Sequence, residues 1–127
     1  MTKLLLIAGG GAVGAVSRYY LAGWAQRLAG GTFPVGTLAV NVLGCLLIGM
    51  LGAFFGGPHL VRQEYRLLLM IGLLGGFTTF STFGLETVAL VNEGQFTQAG
   101  LNVLLSNGLG LLAVLLGYRT TQWMLGA

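Results

Sequence analysis

The chain has 127 residues, of which 55% are hydrophobic and only 7% are charged, and its formal net charge is +3. Soluble domains carry about a quarter charged residues, so we exclude a soluble protein of this size and expect the chain to be solvated by a lipid bilayer. The basic residues lie mostly at the ends of apolar segments, where they anchor to lipid headgroups, so the positive charge does not predict a nucleic-acid partner.

Four apolar segments follow one another along the chain, and each is long enough to cross a membrane as a helix, which takes about 20 residues. The connections between them are short and leave no stretch for a second domain. We therefore predict a single four-helix transmembrane domain over residues 1–127, all-α, with both termini on the same side. The predicted spans are Leu4–Gln26, Val35–Gly57, Leu67–Val91 and Ala99–Tyr118.

The first span carries a pattern that is typical of another function. Gly9, Gly11 and Gly14 form a G-x-G-x-x-G after an apolar run, which is the dinucleotide-binding fingerprint. That site also needs an acidic residue about 20 positions later, whereas the first acid in the chain is Glu64. We therefore favour close helix packing through Gly10 and Gly14, which lie four apart. The start of the chain also fits a cleavable signal peptide, which the pattern alone does not exclude.

Basic residues favour one orientation only weakly. The side that holds both termini and the middle connection carries four of them, against one or two on the other side (Lys3, Arg62, Arg66 and Arg119 against Arg27 and, if it reaches water, Arg18). An excess of basic residues is typical of the cytoplasmic side, so we expect cytoplasmic termini. Moving one or two charges would reverse the orientation.

Cys45 and His59 each stand alone in the sequence. Cys45 lies inside the second span and offers neither a disulfide nor a metal site. His59 follows a proline in a short connection, where we expect an interfacial side chain rather than a ligand.

Polar side chains recur at helical spacing in three of the four spans, where residues four apart share a face. Each set alone is typical of hydrogen bonding between packed helices. Three sets in four spans favour a polar pathway through the bundle. The sets are Thr37, Asn41 and Cys45 in the second span, Thr78, Thr82 and Glu86 in the third, and Asn102 and Ser106 in the fourth.

The stretch GGFTTFSTFGLE combines two glycines, four hydroxyl residues and a phenylalanine at every third position. Gly75 and Gly76 fall near the middle of the third span, and we predict that they break its helix there. Such a break frees carbonyl groups that can hold a cation, and the new helix N-terminus favours an anion. The alternative is a continuous helix in which both glycines allow a close crossing.

Phe80 and Phe83, three residues apart, share a face of the predicted helix. The edge of a phenylalanine ring carries partial positive charge, so it can face an anion without binding it tightly. Hydroxyl and amide donors from Ser81, Thr82 and Asn41 can replace lost hydration. These features suit a small, strongly hydrated anion, whereas composition alone favours rings that simply fill a helix interface.

The chain resembles the Fluc family of fluoride channels. The resemblance covers nearly the whole chain and is carried by G-x-x-x-R at Gly14 to Arg18, by GTLAVNVLGCLLIG in the second span and by GGFTTFSTFGLE in the third. It implies an antiparallel homodimer in the cell inner membrane, with two fluoride pores that are each lined by both subunits. It also implies a central sodium ion, held by backbone carbonyls at the breaks of both third helices.

The resemblance assigns roles to individual residues. The sodium carbonyls fall on Gly75 and Thr78. The role of Glu86, an acid near one pore end, stays open, and Ser106 is the best candidate in the fourth span. The anion pathway then comprises Asn41, Phe80, Phe83, Ser81, Thr82, Ser106, Glu86 and Arg18.

The resemblance therefore implies passive fluoride export by a channel, and we do not expect an enzyme. The runner-up is a proton-coupled exporter of the small multidrug type, which needs a buried carboxylate in its first helix. Here the first span has Arg18 and no acid, and Glu86 in the third span is the only candidate. A third possibility is a structural membrane subunit in which the polar residues only join helices.

Overall fold

A computed structural model of the protein describes residues 1–57 and 61–126, and these residues form helices joined by short connections. Helix α3 continues directly into a π-helix and then into α4. Two extended residues separate α4 from α5. The elements are α1 (Thr2–Ala29), α2 (Val35–Gly56), α3 (Gln63–Arg66), the π-helix (Leu67–Leu74), α4 (Gly75–Phe77), α5 (Phe80–Asn92) and α6 (Phe96–Met124). His59 lies outside the described residues.

The prediction of four membrane spans is confirmed. Within residues 1–57 and 61–126, four helical stretches are long and apolar enough to cross a bilayer: α1, α2, the broken helix Gln63–Asn92 and α6. Each begins or ends within a few residues of its predicted limit, except that the third and fourth also extend into the flanking polar residues. The chain is a multi-pass membrane protein, and its many exposed leucine and aromatic side chains suit contact with lipid.

The glycines of the first span pack α1 against the third span. Gly10 and Gly14 are buried inside α1. A β-carbon at Gly10 would lie 2.9 Å from the backbone nitrogen of Leu73, and one at Gly14 would lie 2.9 Å from that of Phe77. Because only glycine allows backbones to approach this closely, the packing interpretation is confirmed and the dinucleotide fingerprint is excluded.

Helix α2 crosses the middle of the bundle and packs mainly on α6. Gly49 of α2 lies against Val114, and Gly117 of α6 lies against Leu46, so small residues again bring backbones together. The core is a cluster of Val40, Leu74 and Phe77, which are all nearly inaccessible. This cluster holds α2 against the last helical turn before the break in the third span.

The third span is broken as predicted, but the predicted position of the break is wrong. Gly75 has helical dihedral angles (φ −61°, ψ −37°), and α4 continues to Phe77. The extended residues are Thr78 (φ −93°, ψ 158°) and Thr79 (φ −150°, ψ 114°). Threonine is β-branched and prefers extended backbone, and a threonine hydroxyl is a good N-cap, so the chain breaks two residues beyond the glycines.

Candidate functional site

Asn41 holds the backbone of the break open. Its Nδ2 donates to the carbonyl oxygen of Thr79 at 2.9 Å, and its Oδ1 accepts from the Thr79 amide at 2.8 Å. A break at this depth exposes backbone groups that lipid cannot satisfy, so a partner of this kind is required. The amide side chain of Asn41 has one donor and one acceptor at the right spacing to replace both missing helical bonds.

Two further residues bond the carbonyls next to the break. The Arg18 Nε donates to the carbonyl oxygen of Gly76 at 3.0 Å. The backbone amide and the hydroxyl of Thr78 both donate to the carbonyl of Leu74, each at 3.1 Å. Arg18 therefore brings a positive charge to the end of α4, where the helix dipole is negative.

The N-terminus of α5 is capped by hydroxyl groups. Thr79 Oγ1 accepts from the amide of Thr82 at 3.2 Å and donates to the Thr82 hydroxyl at 3.0 Å. The Ser81 hydroxyl lies 3.5 Å from the same oxygen and is exposed. The predicted pathway residues Ser81 and Thr82 thus surround the start of α5.

A cavity of about 330 Å³ lies beside the break and opens to the surface of the chain. Its lining comes from α2, the π-helix, α4, the break, α5 and α6, and it is largely apolar. Six of the lining residues are Asn41, Gly75, Thr78, Phe80, Phe83 and Ser106. The fold therefore brings predicted residues of three separate spans to one cavity, whereas Ser81 and Thr82 lie outside its lining.

The phenylalanine pair lies at the edge of this cavity. The ring centroids of Phe80 and Phe83 are 5.4 Å apart, and the ring planes are inclined by 46°. Phe83 is only 9% exposed, but Phe80 is 80% exposed. One ring is thus fixed in the fold of the chain, and the other projects from it.

Glu86 lies at a different place. It accepts a short hydrogen bond from the Thr37 hydroxyl, which ties α5 to the start of α2. It lines a second cavity of about 240 Å³, together with Thr32, Pro34 and Glu93. The structure thus separates Glu86 from the cavity of the phenylalanine pair.

Sequence reasoning did not assign Thr79 or Thr87 to the site, and it identified Asn102 only as a polar residue that shares a face with Ser106. Thr79, whose backbone pairs with Asn41, was only one of four adjacent hydroxyl residues. Thr87 and the buried Asn102 join α5 to α6, and the Asn102 amide nitrogen lies 2.9 Å from the Thr87 hydroxyl. Asn102 had a signal, since it lies one helical turn before Ser106. Thr87 had none.

Side chains offer no metal centre in the described ranges 1–57 and 61–126, where no three His, Cys, Asp or Glu residues cluster. A cation at the break would have to bind backbone or hydroxyl oxygens. The carbonyls of Leu74, Gly76 and Thr79 accept the hydrogen bonds described above. Those of Gly75 and Thr78, the two predicted sodium ligands, take no part in these bonds.

Comparison with known proteins covers the same helices. The model of the family described as CrcB-like protein, Camphor Resistance (CrcB), matches residues 5–118. The fluoride-specific ion channel FluC of Geobacter sulfurreducens is 54% identical over 122 residues, 96% of this chain and 98% of that protein. The proteins of the same name from Rhizobium johnstonii and Shewanella oneidensis are each 46% identical, over 92% and 94% of this chain and over 94% and 95% of their own lengths.

The match runs from the first span through most of the fourth, so it includes every helix that contributes to the break and to the cavity beside it. The chain belongs to the CrcB-like protein family.

Proposed function

We propose that this chain is a fluoride-selective ion channel that lets cytoplasmic fluoride leave the cell passively. The observation that carries the proposal is the match to relatives named fluoride-specific ion channel, which extends over nearly the full length of both chains. The site supports it chemically, because two phenylalanine rings, hydroxyl groups and an amide line one cavity, and ring edges carry partial positive charge.

Fluoride export of this kind would confer fluoride resistance. Hydrofluoric acid is weak, crosses membranes as a neutral molecule and ionises inside the cell. The trapped anion then needs a path, and the membrane potential drives it outward. A location in the cell inner membrane follows from this role.

The proposed channel is an antiparallel homodimer with two pores at its interface. The cavity opens to the surface of the single chain, and Phe80 projects from it with 80% of its surface exposed. A second copy of the chain would supply the missing wall and cover that ring. The basic residues favour one orientation only weakly, which suits a chain that inserts both ways.

A structural sodium ion at the dimer centre completes the proposal. Carbonyl oxygens in a low-dielectric region are costly unless they are paired. Two breaks that meet at a two-fold axis would bring together four carbonyls, from Gly75 and Thr78 of each chain. These carbonyls fit the ion, since neither joins the hydrogen bonds around the break and sodium prefers oxygen ligands. The ion would join the subunits and would not move with fluoride.

The proton-coupled exporter is the weaker candidate. It needs a buried acid in the first helix, whereas α1 carries Arg18 engaged with the carbonyl of Gly76. The relatives are named as ion channels, and not as exporters or enzymes.

Flux from liposomes tests the proposed function. Purified protein is reconstituted into vesicles loaded with potassium fluoride or potassium chloride, and a potassium ionophore removes the charge block. We expect fluoride to leave rapidly and chloride to stay. Equal efflux of both anions would contradict a selective channel, and no efflux of either would return the chain to a structural role.

The same kind of vesicle, prepared with added sodium on both sides, tests the sodium ion. Replacing sodium on both sides by a large organic cation should slow or stop fluoride efflux and weaken the dimer in detergent. Full flux and an unchanged dimer in sodium-free buffer would exclude the ion.

A further inference from the structure

We propose that Asn102 sets the anion affinity of Ser106 by competing for its only hydroxyl hydrogen. The inference rests on the proposed function, because it takes Ser106 as a residue of the fluoride pathway. In this role Asn102 is a positioning residue, since it acts on the anion through Ser106 and does not line the cavity itself.

The observation is a chain of three hydrogen bonds between α6 and α5. Asn102 is only 2% exposed, so its amide is buried between the helices. Its Oδ1 lies 3.3 Å from Ser106 Oγ, and its Nδ2 lies 2.9 Å from Thr87 Oγ1. Thr87 Oγ1 in turn lies 2.8 Å from the carbonyl oxygen of Phe83. These three hydrogen bonds thus connect Ser106, which lines the cavity, to the backbone of Phe83, which also lines it.

The direction of every bond follows from its last member. The carbonyl of Phe83 can only accept, so Thr87 must donate its single hydrogen to it. The Thr87 oxygen is then left as an acceptor, so Asn102 must turn its amide nitrogen toward Thr87. This places the Asn102 oxygen toward Ser106, and an amide oxygen can only accept. Ser106 therefore donates its hydrogen to Asn102.

An anion in the cavity must take that hydrogen away from Asn102. A serine hydroxyl has one hydrogen, so it cannot donate to the anion and to Asn102 fully at the same time. The Ser106–Asn102 distance of 3.3 Å is long for a bond between oxygens, which is usually about 2.7–2.8 Å, so the bond is weak. A charged acceptor forms stronger hydrogen bonds than a neutral amide, and a small anion with concentrated charge does so best.

The competing interpretation is that Asn102 only joins two helices. A buried, fully bonded asparagine is typical of such contacts in membranes. The two interpretations differ in one measurable respect. A helix-joining residue would act whether or not Ser106 carries a hydroxyl, whereas a competitor for the Ser106 hydrogen would have no effect on affinity once that hydroxyl is removed.

The test compares Asn102→Leu, Ser106→Ala and the double variant with the original chain in proteoliposomes. The measured quantity is the fluoride concentration that gives half-maximal flux. Asn102→Leu should lower it about twofold, since the anion no longer has to replace the weak hydrogen bond between Ser106 and Asn102. In the Ser106→Ala background, Asn102→Leu should leave it unchanged.

A second pair of variants covers the case in which Asn102→Leu does not assemble. Thr87→Val removes the group that fixes the direction of the Asn102 amide, so the half-saturating concentration should fall. Thr87→Ser keeps the hydroxyl and should restore the original value. An unchanged concentration in Asn102→Leu or Thr87→Val, or an equal shift without the Ser106 hydroxyl, would overturn the inference. Absence of fluoride flux in the original chain would instead refute the proposed function.

Discussion

Replacing Asn41 by leucine should loosen the break in the third span while keeping a side chain of the same branched shape. Leucine has the same number of side-chain heavy atoms as asparagine but has neither a donor nor an acceptor. The amide and the carbonyl of Thr79, which bond Asn41 at 2.8 and 2.9 Å, would both lose their partner. Because Thr79 is an extended residue between two helices, no neighbouring turn replaces these bonds.

The size of the effect follows from those two groups. A buried polar group that is left unsatisfied costs about 1–3 kcal/mol, and Thr79 is partly rather than fully buried. Two such groups give an expected loss of about 2–4 kcal/mol in the free energy of unfolding. Asn107→Leu is the matched control, because Asn107 is exposed and its Nδ2 bonds only the carbonyl of Val103 in its own helix. We expect the control to cost about 0.5 kcal/mol, the low end for one hydrogen bond.

Unfolding of the purified protein in mixed micelles measures both values, with circular dichroism following the helices. Hydrogen exchange at the amide of Thr79 gives a local measure, which should rise in Asn41→Leu and stay unchanged in the control. Equal stability losses in the two variants, with no change in exchange at Thr79, would refute the assignment of Asn41 to the break.

Two further substitutions separate transport from packing. Phe80→Ile and Phe83→Ile should each block fluoride flux while the protein still folds, because isoleucine fills similar space without a positive ring edge. Original flux rates in either folded variant would indicate that the rings only pack. Glu86→Gln should leave fluoride efflux largely intact, since an amide oxygen still accepts from Thr37 and a channel needs no proton exchange. Complete loss of flux in a folded Gln variant would favour a coupled exporter.

Composition was sufficient to predict the four spans. A stretch of about 20 apolar residues has few alternatives in a chain with so few charges, and the structure adds only a few residues at most ends. The buried pair Gly10 and Gly14 was also predictable, because small residues four apart in a membrane helix indicate a close crossing.

The site was predictable only in part, because its key contacts join residues that are distant in sequence. Asn41 was predicted to be a polar residue of the anion pathway, but its pairing with both backbone groups of Thr79 depends on how α2 crosses the third span. The contact between Asn102 and Thr87 depends in the same way on the packing of α6 against α5. No local pattern specifies which side chain meets which backbone group.

The sequence also does not distinguish the two glycines of the third span, Gly75 and Gly76. Both remain helical, and their surroundings differ. A β-carbon at Gly76 would lie 2.6 Å from the carbonyl oxygen of Gly11, whereas one at Gly75 would lie 3.8 Å from its nearest neighbour, the carbonyl oxygen of Met70. Gly76 is therefore required for the approach of α1, whereas within one chain Gly75 is not.

Gly76→Ala should therefore destabilise the protein by about 1–3 kcal/mol, because the backbone of α1 must move away. Gly75→Ala should be neutral or stabilise the protein by up to about 1 kcal/mol, since alanine is the better helix former. Unfolding in mixed micelles measures both. If Gly75→Ala proves the more damaging of the two, the glycines do act as helix breakers, and the extended residues at Thr78 and Thr79 are not the origin of the break. Loss of fluoride flux in a stable Gly75→Ala protein would instead indicate that Gly75 must be small because the partner subunit, or the ion between the chains, lies close to it.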